Sequence, residues 1–364
     1  FSALIEEDGG AVGAEALARR GLLRIASGME EEGMRDVDAA LERVPRGSLR
    51  GALLLARAGR VGEEDADAAR RLLEEVMDQG TDALQRASSH YELARLDARA
   101  GEHASARAHL GEASRLLEGA AAPDRALESG VLYLSASTAL ALDMSEEAAR
   151  LGREYVERFP DGALVCDAAL VAGEGARRLR RWDESVRLFD LAAASADQEI
   201  SGSALLRKGD TLGEAGRWGE SDAAYAAFLE RHGEDARWFR AAFGRGWCAE
   251  NEGDPRGAMA WYGRVVDGHE GETAARAQFQ IGECLYALGE HEEAVRAFMK
   301  VDLLHAYPEW SAGALYEAGR CLEQSGDHEQ ARARFAEVVE RFGGSEWARL
   351  ARRALKSAEE ASGE

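Results

Sequence analysis

Between residues 240 and 343 the small and apolar positions recur in one register, written three times. Gly246, Gly282 and Gly319 open it, 36 and 37 residues apart. Seven residues on stand Gly253, Gly289 and Gly326; twelve on, Ala258, Ala294 and Ala331; sixteen on, Tyr262, Phe298 and Phe335; nineteen on, Val265, Val301 and Val338. Within each copy the apolar positions follow i, i+4, i+7, the stripe of a helix that buries one face. A Gly inside a helical pattern costs roughly 1 kcal/mol against Ala, so the opening Gly implies close approach of a second helix. The Gly seven residues later falls where the first helix ends and the backbone turns through the left-handed region. Asp254, Glu290 and Asp327 follow and start a second helix, with Pro255 in the first turn, where a missing N–H is harmless. Each copy therefore predicts helix, tight turn, helix and a short connection.

The same register extends back through the chain. A first unit is anchored on Gly21, with turn Gly28 and then Gly33, Val37, Ala40 and Pro45. A second is anchored on Ala52 with turn Gly59, its late second helix (Leu72, Leu73, Val76) implying a lengthened loop at 63–67. The third uses Ala94, Gly101, Ala106, Leu110 and Ala113, with a long exit at 119–124 that contains Pro123. The fourth uses Ala136, Ala148, Tyr155 and Pro160; the fifth Gly173, Ser185, Phe189 and Ala192; the sixth Gly209, Gly216, Ser221, Tyr225 and Phe228. After the ninth, 345–360 reads as one amphipathic helix with Trp347, Leu350, Ala351 and Leu355 inward and Arg349, Arg352, Arg353 and Lys356 outward.

Small residue, turn Gly, Ala, aromatic and a late small or apolar residue, in these columns, resemble the tetratricopeptide repeat. The resemblance covers nearly the whole chain. It implies an all-α fold, a right-handed superhelical α-solenoid of about nine helix-turn-helix repeats closed by a C-terminal capping helix. Length alone suggests two or three domains, but a solenoid needs no internal boundary. The expected organisation is one continuous stack: irregular repeats 1–3 over 1–122, regular repeats 4–9 over 123–344, and the capping helix and tail over 345–364.

Composition narrows the function. With 45 basic against 67 acidic residues the formal net charge is −22, which disfavours nucleic acid and anionic lipid as ligands. The sequence holds no apolar run long enough to insert in a bilayer. The chain starts at Phe1, so its beginning decides nothing about a leader or anchor. Of four cysteines, Cys248, Cys284 and Cys321 share the column two residues after the anchor, which indicates small buried packing, since stacked helices 8–10 Å apart exceed the reach of a disulfide. Cys166 has no counterpart. Of eight histidines, His103, His291 and His328 share a packing column at the start of second helices with Trp182 and Trp218. His232, His269 and His305 share one at their ends with Phe159 and Phe342, where an imidazole suits the helix dipole. Only His90 and His109 stand outside both columns. No catalytic set, phosphate loop or metal motif appears, so no catalytic residue, cofactor or metal is expected and the chain reads as a non-enzyme.

In the resembled family the first helices line a concave groove. The resemblance places Tyr91, Tyr133, Phe243, Phe279 and Tyr316 there, three residues before the anchors, and Arg95, Trp247 and Arg320 one residue after them, with Arg177 and Tyr286 further along. Aromatics flanked by Arg suit a protein interface; each ring could equally fill the seam between first helices. The Lys and Asn of the carboxylate-clamping branch are missing from these columns. The expected partner is an extended or helical segment of another protein, within a multi-protein complex or a homo-oligomer, and replacing Phe243, Trp247 and Phe279 together by Ala is expected to abolish capture without unfolding. The strings Arg-Phe-Pro-Asp-Gly at 158–162, Tyr-Pro-Glu-Trp at 307–310 and Arg-Phe-Gly-Gly-Ser at 341–345 also resemble bacterial envelope repeat proteins: periplasmic factors associated with the Tol-Pal system, and lipoprotein subunits of outer-membrane assembly. This favours a periplasmic or envelope location over a cytoplasmic one. The rival reading is the regulatory domain of a larger enzyme whose catalytic part lies outside this chain.

Overall fold

The computed structural model describes residues 1–7, 10–78, 81–120, 122, 124–305 and 307–362. Twenty helices and no strand occur among them: α1 (Ser2–Glu7), α2 (Ala11–Ala26), α3 (Glu30–Leu41), α4 (Ser48–Val61), α5 (Ala66–Asp78), α6 (Ala83–Arg99), α7 (His103–Glu118), α8 (Arg125–Ala141), α9 (Ser145–Arg158), α10 (Val165–Arg178), α11 (Trp182–Ala192), α12 (Gln198–Glu214), α13 (Trp218–Arg231), α14 (Trp238–Asn251), α15 (Pro255–Gly268), α16 (Glu272–Ala287), α17 (His291–His305), α18 (Pro308–Gln324), α19 (His328–Arg341) and α20 (Glu346–Ser362). The chain divides into two compact units, residues 1–181 and 182–364. Within each, every helix packs on the next in sequence. The all-helical repeat expected from the spacing is the fold observed.

Each anchor lies in a first helix, and the Ala, ring and Val columns of the last three repeats lie in second helices. Gly28, Gly101, Gly216, Gly253, Gly289 and Gly326 turn with φ between 73° and 83°, conformations that only Gly adopts without cost. The turns close as Schellman motifs: Glu290 donates its N–H to the Leu285 carbonyl at 2.9 Å, as Asp254 does to Ala249 and Asp327 to Leu322. Asp254 and Asp327 then cap their helices, accepting from the N–H of Gly257 and of Gln330. Helices α7, α17 and α19 begin at His103, His291 and His328, and α11 and α13 at Trp182 and Trp218, although His328 is exposed rather than packed.

The aromatic column supplies the core. Tyr262, Phe298 and Phe335 are sealed from solvent, with Val265, Val301 and Val338 beneath them, each buried side chain contributing roughly 1.5–3 kcal/mol. These rings explain the anchors. A Cβ on Gly209 would meet the Tyr225 ring at 2.5 Å, on Gly246 Tyr262 at 2.6 Å, on Gly282 Phe298 at 2.5 Å, and on Gly319 Phe335 at 2.6 Å.

The second repeat departs from its expected register. Gly59 is an exposed residue inside α4, which runs on to Val61, and the connection is the ordinary short stretch 62–65. Ala58, not Ala52, shares the core cluster of Ala69 and Leu73. Gly59 is of the turn type but continues the helix, so the expected lengthened loop at 63–67 does not form. Pro123 of the expected third exit loop lies outside the described residues.

Candidate protein-interaction face

In unit 182–364 the first helices touch one another in succession, α12 on α14, α14 on α16 and α16 on α18, with α18 on α20. Consecutive second helices α13, α15, α17 and α19 make no such contacts among the described residues. A stack that closes up along one side and opens along the other curves toward the closed side, so the first helices form its inner face. The opening is visible between α11 and α13 as a cleft of about 510 Å³. Unit 1–181 follows the same rule: α4, α6 and α8 touch in succession, and a cleft of about 570 Å³ lies between α7 and α9.

The aromatic residues three positions before the anchors sit in the seam between first helices. Phe243 and Phe279 are each only 8% exposed. The Phe243 ring lies 5.1 Å from Tyr262, and Phe279 meets Phe298 at 5.2 Å and Trp310 of α18 at 5.5 Å. Tyr316 packs between Phe335 and Trp347 of α20, at 5.5 and 5.6 Å. Replacing Phe243 and Phe279 by Ala would therefore empty the core, and the triple substitution with Trp247 cannot separate capture from folding. Tyr91 likewise reaches α8, where a Cβ on Gly130 would strike its hydroxyl at 2.8 Å. Tyr133 stands edge-on to Tyr155 at 6.4 Å. Arg95 pairs with Glu92 at 2.7 Å and Arg177 with Glu174 at 2.7 Å. These four residues belong to unit 1–181; the other six belong to unit 182–364.

What faces solvent on the inner side of unit 182–364 lies one position past the anchors and one turn either side. Trp247 is 38% exposed, and the Arg276 guanidinium lies 4.5 Å from the Phe243 ring centre and 5.9 Å from that of Trp247. Further along, Arg320 lies 5.2 Å from the Tyr286 ring centre, donates to its hydroxyl at 3.4 Å and pairs with Glu317 at 2.7 Å. Between them stand carboxylates from three consecutive first helices: the part-buried Glu250 and Glu283, and Glu317, which is buried. Tyr262 donates to Glu250 at 2.8 Å and Gln280 at 3.1 Å. Glu283 makes no hydrogen bond or ion pair among the described residues. Burial, then the charge of Glu317, with Glu250 adding to it, pushes its carboxyl up to about 7 against the pull of Arg320. Two negative charges beside a half-buried third are a cost that an incoming cation would relieve.

Arg276, Glu250 and Glu317 were not legible as members of this face from the repeat columns. Their signal is the three-residue step to Phe279, Trp247 and Arg320, which places each one turn along the same stripe.

The family model described as tetratricopeptide repeat matches residues 276–305 and 313–345, which is α16–α17 and α18–α19. These stretches are tetratricopeptide repeats. They contribute α16 and α18 to the inner face of unit 182–364. No curated protein matches the chain in sequence. Among solved structures, the apo form of the quorum sensor NprR from B. thuringiensis aligns with 91% of this chain and 98% of its own at 11% identity and a TM-score of 0.53. The apo form of RapI aligns with 94% and 98% at 11% identity and 0.57. YrrB, described as a TPR protein with an unusual peptide-binding site, covers 57% of this chain and 100% of its own at 18% identity and a TM-score of 0.41. At such identities the first two establish a shared helical-repeat fold alone.

Proposed function

We propose that this chain is a non-enzymatic protein-interaction scaffold that holds a segment of another protein against the first-helix face of unit 182–364. The observation that carries the reading is the exposed Trp247 with Arg276 at one end, Tyr286 with Arg320 at the other, and the unpaired Glu283 between Glu250 and Glu317. An aromatic anchor with a desolvated charge beside it is how interfaces concentrate binding energy. The occupant this chemistry favours is an extended or helical segment carrying Lys or Arg opposite Glu283. The partner-contacting set is thereby narrowed to Trp247, Tyr286 and Arg320, with Phe243, Phe279 and Tyr316 supporting them from beneath.

The test is selection of peptides from a displayed random library on the intact chain, followed by titration against Trp247→Ala and Glu283→Gln. Basic peptides that lose at least tenfold affinity to either variant, with unchanged circular dichroism, support the reading. Selected peptides that bind both variants as well as the parent would discard it.

We extend the proposal to a bacterial multi-protein assembly at the cell envelope, on the strength of the 158–162 string. In that string Phe159 is buried, with Arg125 and Arg158 lying 5.5 and 5.3 Å from its ring. Co-fractionation of the native protein with envelope rather than soluble material tests the setting.

A further inference from the structure

His90 and His109 are the two histidines that the repeat columns leave unexplained, and they meet. His90 lies on α6 and His109 on α7, with Nδ1 of one 3.0 Å from Nδ1 of the other and ring centres 5.2 Å apart. Behind them Asp97 of α6 is sealed from solvent, with one oxygen 3.8 Å from His109 Nε2 and the other against Arg70 of α5. Neither Asp97 oxygen has a hydrogen bond of good geometry. The 3.0 Å contact lets the Nδ1–H of one ring donate to the Nδ1 lone pair of the other, with the tautomers deciding which ring donates.

Two imidazole nitrogens bound to one tetrahedral ion at 2.0–2.1 Å stand about 3.3 Å apart. The observed 3.0 Å separation needs a few tenths of an ångström to open. Among the described residues no group of three or more His, Cys, Asp or Glu is placed to hold a metal, so any site here has two protein ligands and completes its shell with water. The surrounding charges are mixed: Glu112 favours a cation, Arg86 and Arg115 oppose it, and Arg115 is itself held by Glu112 at 2.6 Å.

We propose that His90 and His109 form a two-histidine site for a borderline divalent ion such as Zn²⁺ or Ni²⁺, bound through both Nδ1 atoms and stapling α6 to α7. The ion takes the place of the proton between the two nitrogens, which in the neutral pair moves to Nε2 of the ring that carried it. The site is independent of the face on unit 182–364 and stands or falls without it.

The experiment uses the intact chain, stripped with chelator, titrated with ZnCl₂ by calorimetry at pH 7.5 and followed by thermal unfolding. One ion per chain is expected, with a zinc-dependent rise in Tm. Each of His90→Gln and His109→Gln should weaken binding at least tenfold, and protons should displace the ion as pH falls toward 5.5. No zinc-dependent heat or shift in the parent overturns the proposal, as does a double variant that binds one ion as tightly as the parent. Should the variants fail to fold, carbethoxylation of the parent decides: zinc must protect His90 and His109 from diethylpyrocarbonate, and equal labelling with and without zinc overturns the site.

Discussion

Gly282 and Phe298 show how a repeat column is chosen in pairs. Where the anchor is Gly, in the sixth to ninth repeats, the residue sixteen positions on is a ring; where the anchor is Ala94 or Ala136, it is Leu110 or Gly152. The room for a ring is the space the missing Cβ leaves. Gly282→Ala would place a carbon 2.5 Å from that ring, and overpacking of this kind costs about 1–3 kcal/mol. Adding Phe298→Leu should recover part of the loss, so that a double-mutant cycle by chemical denaturation shows a coupling of opposite sign to the single losses. The turn position gives a converse case. Asp143 and Arg180 occupy it in the fourth and fifth repeats with φ of 58° and 57°, where a side chain costs about 1–2 kcal/mol. Arg180→Gly should raise stability by about 0.5–1 kcal/mol after the entropy of a freer unfolded chain is counted. Asp143→Gly should gain less, because Asp143 holds Arg178 at 2.5 Å. The buried thiols add a pH term. Burial pushes Cys284 and Cys321 up to about 12 and raises Cys248, so the fold keeps them protonated while an unfolded thiol ionises above about pH 8.5. Stability should be undiminished below that value and fall as pH rises past it, by at most about 1.4 kcal/mol per thiol per pH unit. Denaturant midpoints at pH 7.5 and 9.5 would show this, and Cys→Ala at the three positions should flatten the difference.

At the scale of elements, helix α20 closes the stack. Ala348 and Ala351 are sealed against the cluster of Phe335, Val338 and Leu315, with Trp347 and Leu355 flanking them, while Arg349, Arg352 and Arg353 face solvent. This is the division read from the sequence. Ala351→Glu would bury an unpaired carboxylate, a multi-kcal/mol cost. Its expected signature is faster amide exchange in α18–α20 than in α12–α15, since a solenoid loosens from its ends; uniform exchange would count against the capping role. The pairing, the turns and the cap were legible because they depend on residue types at fixed separations: a Gly that must turn, an Ala that must be thin, a ring that must be covered. The second repeat was not, because Gly59 has the right type without the left-handed backbone that gives the type meaning. The candidate face was legible only in outline. The columns identify which residues sit three before or one after an anchor, but whether Phe243 looks into a groove or into the seam depends on how closely neighbouring first helices approach. No spacing within one repeat encodes that distance.

For the whole molecule, the net charge of −22 and the acidic cluster of Glu250, Glu283 and Glu317 act together. A basic segment is drawn in by the long-range field and then meets a carboxyl whose ionisation depends on the pH at which it arrives. Because burial and neighbouring carboxylates hold Glu283 near 7, the group is largely neutral at pH 6 and largely ionised at pH 8. Its raised value favours the free fold at low pH, a contribution fully present below the ordinary value of 4.5 and lost as pH rises through about 7. Capture of a cation runs the other way. A Lys or Arg beside Glu283 stabilises the carboxylate, so binding below pH 7 must first expel a proton. Affinity should therefore rise between pH 6 and 8, approaching tenfold per pH unit at the acid end, and binding at pH 6 should release a proton measurable from its dependence on buffer ionisation enthalpy. Glu283→Gln should flatten the profile at the weaker level, whereas Trp247→Ala should lower affinity at every pH and leave the slope intact. Added salt should weaken all of these, because exposed charges are screened within roughly 10 Å at 0.1 M. A pH profile unchanged by Glu283→Gln would place the cation elsewhere on the face and leave the aromatic anchors to account for capture alone.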